Sequence, residues 1–140
     1  MRLFCVRNAW LAVLAVLALA GCDNGPTTSR TVTLPTPEVS ETFSGALTKN
    51  GALTHAFVAL GAGSVTATAT TLDPSDAIVG VALGTWNGVA CAIVIANDAA
   101  AQGTVVTGVS AAAGHLCVRI YDAAGSLAGD TAYMLTVVHR

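Results

Sequence analysis

Between residues 41 and 140, apolar and polar positions alternate with the period of a β-strand. In Ser64–Leu72, small apolar residues alternate with threonines, which places one face of a strand in a core and the other in solvent. In His115–Asp122, the apolar residues Leu116, Val118 and Ile120 alternate with a second set that includes the charged Arg119. The first three are therefore expected to face the core. The opposite set is Cys117, Arg119 and Tyr121. The pattern predicts an all-β domain, since no stretch keeps a helical period.

Eight such stretches, bounded by turn residues, are predicted as strands. They are Glu41–Leu47, Thr54–Leu60, Ser64–Leu72, Ile78–Leu83, Val89–Ala96, Thr104–Val109, His115–Asp122 and Thr131–His139. About eight short strands favour two packed antiparallel sheets, as in a β-sandwich or jelly roll. The dipeptides Asn50-Gly51 and Asn87-Gly88 predict tight hairpin turns, because both residue types tolerate positive φ.

Residues 1–21 have the layout of an export signal. Arg2 and Arg7 precede an apolar run of 12 residues from Ala9 to Ala20. As a helix this run would cover roughly 18 Å, against about 30 Å of bilayer hydrocarbon, so a permanent transmembrane anchor is disfavoured.

The segment Leu19-Ala20-Gly21-Cys22 resembles the lipobox of bacterial lipoproteins. The resemblance implies that the Cys22 thiol receives a diacylglycerol group, that the bond before it is cleaved, and that the new amino terminus is often acylated, for example by palmitate. Two or three acyl chains, at about 0.8 kcal/mol per buried methylene, hold a protein stably on a bilayer. We therefore expect a lipid-anchored protein of the bacterial cell envelope, with the inner or outer membrane left open. The alternative is an ordinary secretory signal with a chance cysteine.

Residues 22–40 are predicted to be the lipidated cysteine and a flexible tether. Asp23–Ser40 contains three prolines and many hydroxyl residues, and it has no sustained period. Such a tether has a reach of about 20 to 25 Å. Residues 41–140 are then the β-sandwich domain.

Several short segments of this domain resemble the pre-peptidase C-terminal domains, which are jelly-roll modules of secreted bacterial proteins. They are Phe43–Gly45, His55–Phe57, Gly63–Thr66, Gly114–Asp122 and Tyr133–Val137. The resemblance covers most of residues 41–140 and implies a jelly roll. Its motifs are loose, so it implies a fold rather than an activity.

Cys91 and Cys117 are the cysteines that remain once Cys5 is removed with the signal and Cys22 is lipidated. In an oxidising compartment they are predicted to form a disulfide, which stabilises the domain by roughly 3 to 4 kcal/mol. We expect them on neighbouring strands and on the outer side of the sheet, with Cα atoms about 4.4 to 6.8 Å apart. In the alternative register Cys91 faces the core, which requires a strand end or a bulge. Two free thiols or a redox pair remain a further alternative.

Two aromatic residues are candidate ligand contacts. Trp86 lies beside the Asn87-Gly88 turn, where an indole either stacks on a sugar ring or a partner or caps the core. Tyr121 shares a predicted face with Arg119. After Cys22 the chain has four basic and eight acidic residues, a net charge of −4. This balance disfavours a nucleic-acid partner, because phosphate contacts need clustered basic residues.

The acidic residues form two groups in loops. Asp73 and Asp76 share one loop, and Asp122 and Asp130 bracket another. Oxygen ligands from such loops could hold calcium, but the alternating acids of a dedicated calcium loop are missing, so we expect solvated turn residues and no metal.

The histidines His55, His115 and His139 are too scattered to predict a zinc set, and few acids lie near them to form an acid–base pair. The serines lack the context of a nucleophile elbow. The sequence thus predicts no catalytic residues and no cofactor.

The expected function is that of a non-enzymatic, lipid-anchored binding or accessory module of the cell envelope. The sequence does not identify its ligand, and an envelope protein or a glycan is the candidate partner. One alternative is a purely structural envelope lipoprotein without a discrete ligand. Another is a secreted hydrolase or its accessory domain.

Overall fold

The computed structural model describes residues 34–140, so that the predicted export signal, Cys22 and most of the predicted tether lie outside the described residues. It contains eight strands: β1 (Val39–Leu47), β2 (Ala52–Ala59), β3 (Gly63–Asp73), β4 (Val79–Trp86), β5 (Cys91–Ala100), β6 (Val105–Ser110), β7 (Gly114–Tyr121) and β8 (Thr131–His139). All eight predicted strands are confirmed. β1 begins at Val39, two residues before the predicted start of the domain, and β5 continues to Ala100. Within residues 34–140, no helix is long and apolar enough to cross a membrane.

The strands form two antiparallel sheets of four strands each. The first sheet has the order β1-β8-β3-β6 and the second sheet has the order β2-β7-β4-β5. Each connection crosses from one sheet to the other except the β4–β5 turn. This arrangement is that of an eight-stranded jelly roll.

The two Asn-Gly dipeptides have different roles. Asn87-Gly88 closes the β4–β5 hairpin, with Gly88 at a φ of 96°. The Asn87 side-chain oxygen accepts hydrogen bonds from the backbone N–H groups of Val89 and Ala90, at 2.9 and 2.8 Å. Asn50-Gly51 instead joins β1 to β2, which belong to different sheets, so the prediction of a hairpin there is wrong. Its positive φ falls on Asn50, at 56°.

The core lies between the two sheets. The predicted inward faces of β3 and β7 are confirmed, because Val65, Ala67, Ala69, Val118 and Ile120 are buried and Leu116 packs against them. The β3–β8 register shifts between Ala69 and Thr71. Strict alternation after Ala69 would have placed Thr71 in the core, but this bulge turns Leu72 inward instead.

The register gives the sandwich two distinct ends. At the proximal end, where the chain enters β1, lie the loops 60–62, 87–90 and 111–113. At the distal end lie the loops 48–51, 74–78, 101–104 and 122–130. The carbonyl of Arg140 accepts hydrogen bonds from the backbone N–H groups of Leu60 and Gly61, at 2.6 and 3.3 Å, so the last described residue also lies at the proximal end.

Candidate functional site

The outer face of the second sheet brings the sequence-predicted site residues onto one surface. Cys117, Arg119 and Tyr121 of β7 point to this face, opposite the core-facing residues of the same strand. Their register partners on the adjacent strand β4 are Gly84, Ala82 and Gly80. Small residues on β4 therefore lie under the outward side chains of β7.

Tyr121 uses this space to reach across β4. A Cβ atom at Gly80 would lie 2.4 Å from two ring carbons of Tyr121, so the ring occupies the place of the missing side chain. The Tyr121 hydroxyl donates a hydrogen bond to the Asp98 carboxylate on β5. Burial, reinforced by Asp98 and opposed by Arg119, raises the pKa of Tyr121 to about 12. The hydroxyl therefore stays protonated at physiological pH.

Arg119 completes this group. Its guanidinium carbon lies 5.8 Å from the centre of the Tyr121 ring, within the range of a cation–π contact. Ile93, Arg119 and Tyr121 line a hollow of about 260 Å³ on the outer face. An aromatic ring, a guanidinium group and an aliphatic side chain thus meet at one place, with a carboxylate at its border. This chemistry suits the binding of a polar ligand through stacking and hydrogen bonds.

The Cys91–Cys117 disulfide lies on the same face. Its S–S distance is 2.09 Å and its Cα atoms are 5.8 Å apart, which confirms the predicted pairing and distance. The two strands are not neighbours, however, because β4 lies between β5 and β7. The prediction of neighbouring strands is therefore wrong.

A bulge explains how the disulfide spans an intervening strand. In a flat sheet, two strand spacings would separate the Cα atoms by roughly 9.5 Å. Ile93 pairs with Gly84 and Ile95 pairs with Leu83, which leaves Val94 as an extra residue in β5. The Ala92 carbonyl comes so close that a Cβ atom at Gly84 would lie 2.2 Å from its oxygen. β5 thus bends over β4. Cys91 lies on the outer side, as predicted, and the strand also contains the bulge that was expected only for the alternative register.

Trp86 ends β4 at the proximal end and is half-buried on the outer face. Trp86 is six positions along β4 from Gly80, beside which Tyr121 lies, and this corresponds to about 20 Å along the strand. The two candidate ligand contacts share a face but not a hollow. Their roles in binding stay predictions.

Asp122 has a structural role that the sequence did not reveal. Its carboxylate accepts hydrogen bonds from the backbone N–H groups of Asn50, Ser126 and Leu127, at 3.0, 3.0 and 3.3 Å. These bonds, that from Asn50 above all, hold the pKa of Asp122 below its usual value. The expectation of a solvated turn residue is wrong here, because the buried carboxylate ties two distal loops together. Among the described residues, no three His, Cys, Asp or Glu side chains form a metal-binding group.

Two histidines contact side chains of other strands: His139 contacts β1 within the first sheet, and His55 contacts β8 across the two sheets. His139 Nε2 lies 2.9 Å from Glu41 Oε1, so the expectation that the histidines form no pair with an acid is wrong for this residue. His55 Nε2 lies 2.7 Å from the Tyr133 hydroxyl, and burial lowers the pKa of His55. One feature of the sequence pointed to the His139–Glu41 contact: Glu41 is two residues before Phe43, so both side chains lie on the inward face of β1. The sequence does not identify its partner, which is 98 residues away.

No protein-family model matches the chain, and no curated protein sequence is significantly similar to it. The resemblances to the lipobox and to pre-peptidase C-terminal domains therefore stay predictions. A function has to be argued from the chemistry of the site, because a jelly roll is compatible with many activities.

Proposed function

We propose that the chain is a lipid-anchored binding module of the bacterial cell envelope, with its ligand surface on the outer face of the second sheet. The observation that carries the proposal is the group formed by Tyr121, Arg119 and Asp98 around a hollow of about 260 Å³.

The ligand class that fits this surface best is an envelope glycan. An aromatic ring stacks on the apolar face of a sugar, while guanidinium and carboxylate groups bond its hydroxyls. The distance of about 20 Å between Tyr121 and Trp86 suits an extended oligosaccharide that follows β4.

The surface is also preorganised. The Cys91–Cys117 bond and the Tyr121–Asp98 hydrogen bond both connect β7 to β5 over β4. Groups that are already fixed in the free protein lose little conformational entropy on binding, which favours affinity.

Ligand binding is tested with a chain that begins at Asp23, on an array of envelope glycans followed by calorimetry. We expect Tyr121→Ala and Arg119→Gln each to weaken binding by about tenfold or more, as is usual for central contacts. Met134→Ala is the matched control, because Met134 is an exposed apolar residue outside this face. Equal affinity of all variants would contradict the assigned surface, and binding to envelope protein alone would contradict the ligand class.

The anchor is tested separately by metabolic labelling with a fatty-acid analogue. Cys22→Ser should lose the label, since the lipobox cysteine supplies the thiol. Cys5→Ser, a change within the predicted signal, should keep it. Label that persists on the Cys22→Ser variant would overturn the proposed anchor.

A further inference from the structure

The loops at the proximal end are unusually apolar. Leu60–Ala62, Asn87–Ala90 and Ala111–Ala113 together contain no charged residue, and their one polar side chain is that of Asn87. This polar side chain is already engaged with the backbone of its own turn. The side chains of the three loops therefore offer water few hydrogen-bonding groups.

Large apolar side chains at this end are exposed. The exposed fractions are 56% for Leu60, 87% for Val89 and 84% for Val109. Val109 also lines a small hollow of about 70 Å³ with Leu83 and Leu116, among other apolar residues. Ile78 and Val105 at the distal end are also exposed, at 45% and 52%, but less than these three. A group of strongly exposed apolar residues at one end of a domain is typical of an interaction surface.

Charge is concentrated at the other end. The charged residues in or next to the distal loops are Lys49, Asp73, Asp76, Asp98, Asp122 and Asp130. At the proximal end, Arg140 pairs with Glu38 at 3.5 Å, and His139 lies 2.9 Å from Glu41. The domain is thus polarised, with acidic loops at the distal end and apolar loops at the proximal end.

The first described residues of the chain lie at the apolar end. β1 begins there at Val39, and Leu34 is exposed before it. Thr36 runs beside the β2–β3 loop, since a Cβ atom at Gly61 would lie 3.1 Å from Thr36 Oγ1. A lipid on Cys22 would therefore attach the domain to a membrane through this end.

We propose that the proximal end is a membrane-contact surface, with the side chains of Leu60, Val89 and Val109 in the interfacial region of the bilayer. The proposal rests on the proposed lipid anchor for the direction in which the membrane lies. An apolar tip gains from burial at this boundary, while the acidic distal end is kept away from anionic head groups. The strands then stand upright, with Trp86 near the lipid and Tyr121 further from it.

The test uses the unlipidated chain from Asp23, which retains all eight strands and the disulfide. It is titrated with phosphatidylcholine vesicles, with and without phosphatidylglycerol, and binding is followed by co-sedimentation. Trp86 is the tryptophan that remains after the predicted signal is removed, so brominated lipid should quench the emission of this residue.

The double variant Leu60→Asp with Val89→Asp should lower the vesicle partition coefficient by at least about tenfold, because two charges replace buried apolar area. The matched control carries Ile78→Asp and Val105→Asp. These residues are also exposed, at 45% and 52%, but they lie at the distal end. The control should bind like the unmodified chain, and thermal unfolding checks that both variants are folded.

Absence of vesicle binding, or an equal loss in the two double variants, would overturn the membrane-contact surface. Self-association that is lost only in the Leu60→Asp with Val89→Asp variant, without vesicle binding, would overturn it in favour of a second copy of the chain. The labelling of Cys22 is independent of these results, since this chain lacks Cys22. Failure of the contact surface is therefore distinguishable from failure of the anchor.

Discussion

Among single residues, Tyr121 and Asp98 show how a side chain gains its properties from a strand that is not its neighbour. The hydrogen bond between them spans β4, and the Asp98 charge adds to the effect of burial on the pKa of Tyr121. In the unfolded chain Tyr121 loses its proton near its usual pKa of 10.0. The free energy of unfolding should therefore fall as the pH rises from about 10 towards 12.

Asp98→Asn removes this negative charge, so we expect the pKa of Tyr121 to fall towards 10.0 without reaching it, since burial remains. The titration is followed by the ultraviolet absorbance of tyrosinate. Tyr133, whose pKa is raised by burial, is the internal reference. Asp130→Asn should leave both titrations unchanged. An unchanged Tyr121 titration in the Asp98→Asn variant would show that the hydrogen bond has no effect on ionisation.

In the unmodified protein, backbone N–H groups donate to both carboxylate oxygens of Asp122. Asp122→Asn should destabilise the domain, because the amide N–H group that replaces one oxygen would face backbone donors. A lowered pKa means that the stabilisation is complete above the unfolded value of 3.8 and is lost as the pH falls through the folded value. The difference in melting temperature between variant and unmodified chain should therefore shrink in acid. Thermal unfolding over a range of pH measures this, with Asp130→Asn as the control; a difference that is constant with pH would contradict the assigned role.

At the scale of elements, β4 determines what the second sheet can carry on its outer face. Gly80, Ala82 and Gly84 present almost no side chain outward, so groups on β7 and β5 can meet over them. The bulge at Val94 brings β5 close enough for the disulfide. The binding face thus depends on a strand that supplies few of its contacts.

Gly84→Ala should lower the free energy of unfolding by about 2 kcal/mol or more, as expected when a core contact is overpacked. The new Cβ atom would lie 2.2 Å from the Ala92 carbonyl oxygen, and backbone has little freedom to move away. Gly114→Ala is the control, since no atom lies within 4 Å of a Cβ there, and it should change stability by less than about 1 kcal/mol. The stability of both variants is measured by denaturant unfolding. Similar stabilities would show that the close approach of β5 does not require a glycine at position 84 of β4.

At the scale of the whole molecule, the disulfide constrains the unfolded chain across a separation of 26 residues. In the chain-entropy relation this corresponds to about 3.5 kcal/mol. The double variant Cys91→Ala with Cys117→Ala should lose about this much stability in denaturant unfolding, and the reduced, unmodified protein should behave similarly. Alkylation of both thiols in the native protein without reductant would show that the bond does not form.

The sequence by itself determined where the strands lie, the faces of β7, and the faces of β3 as far as Ala69. The alternation in β3 and β7 is local, since successive side chains of an extended chain point to opposite sides whatever the partner strand. The shared face of Arg119 and Tyr121 followed from the same rule. The pairing of Cys91 with Cys117 was predicted because the expected removal of Cys5 and lipidation of Cys22 leave two cysteines.

Only the tertiary structure decided which strands lie side by side. The insertion of β4 between β5 and β7, the Asp98 partner of Tyr121 and the His139–Glu41 contact all join residues that are distant in sequence. Strand order depends on the total apolar area that both sheets bury, and a local pattern of residues does not reveal this total. A bulge such as that at Val94 also reverses the alternation after it, so the faces along β5 could be assigned only once its partner was known.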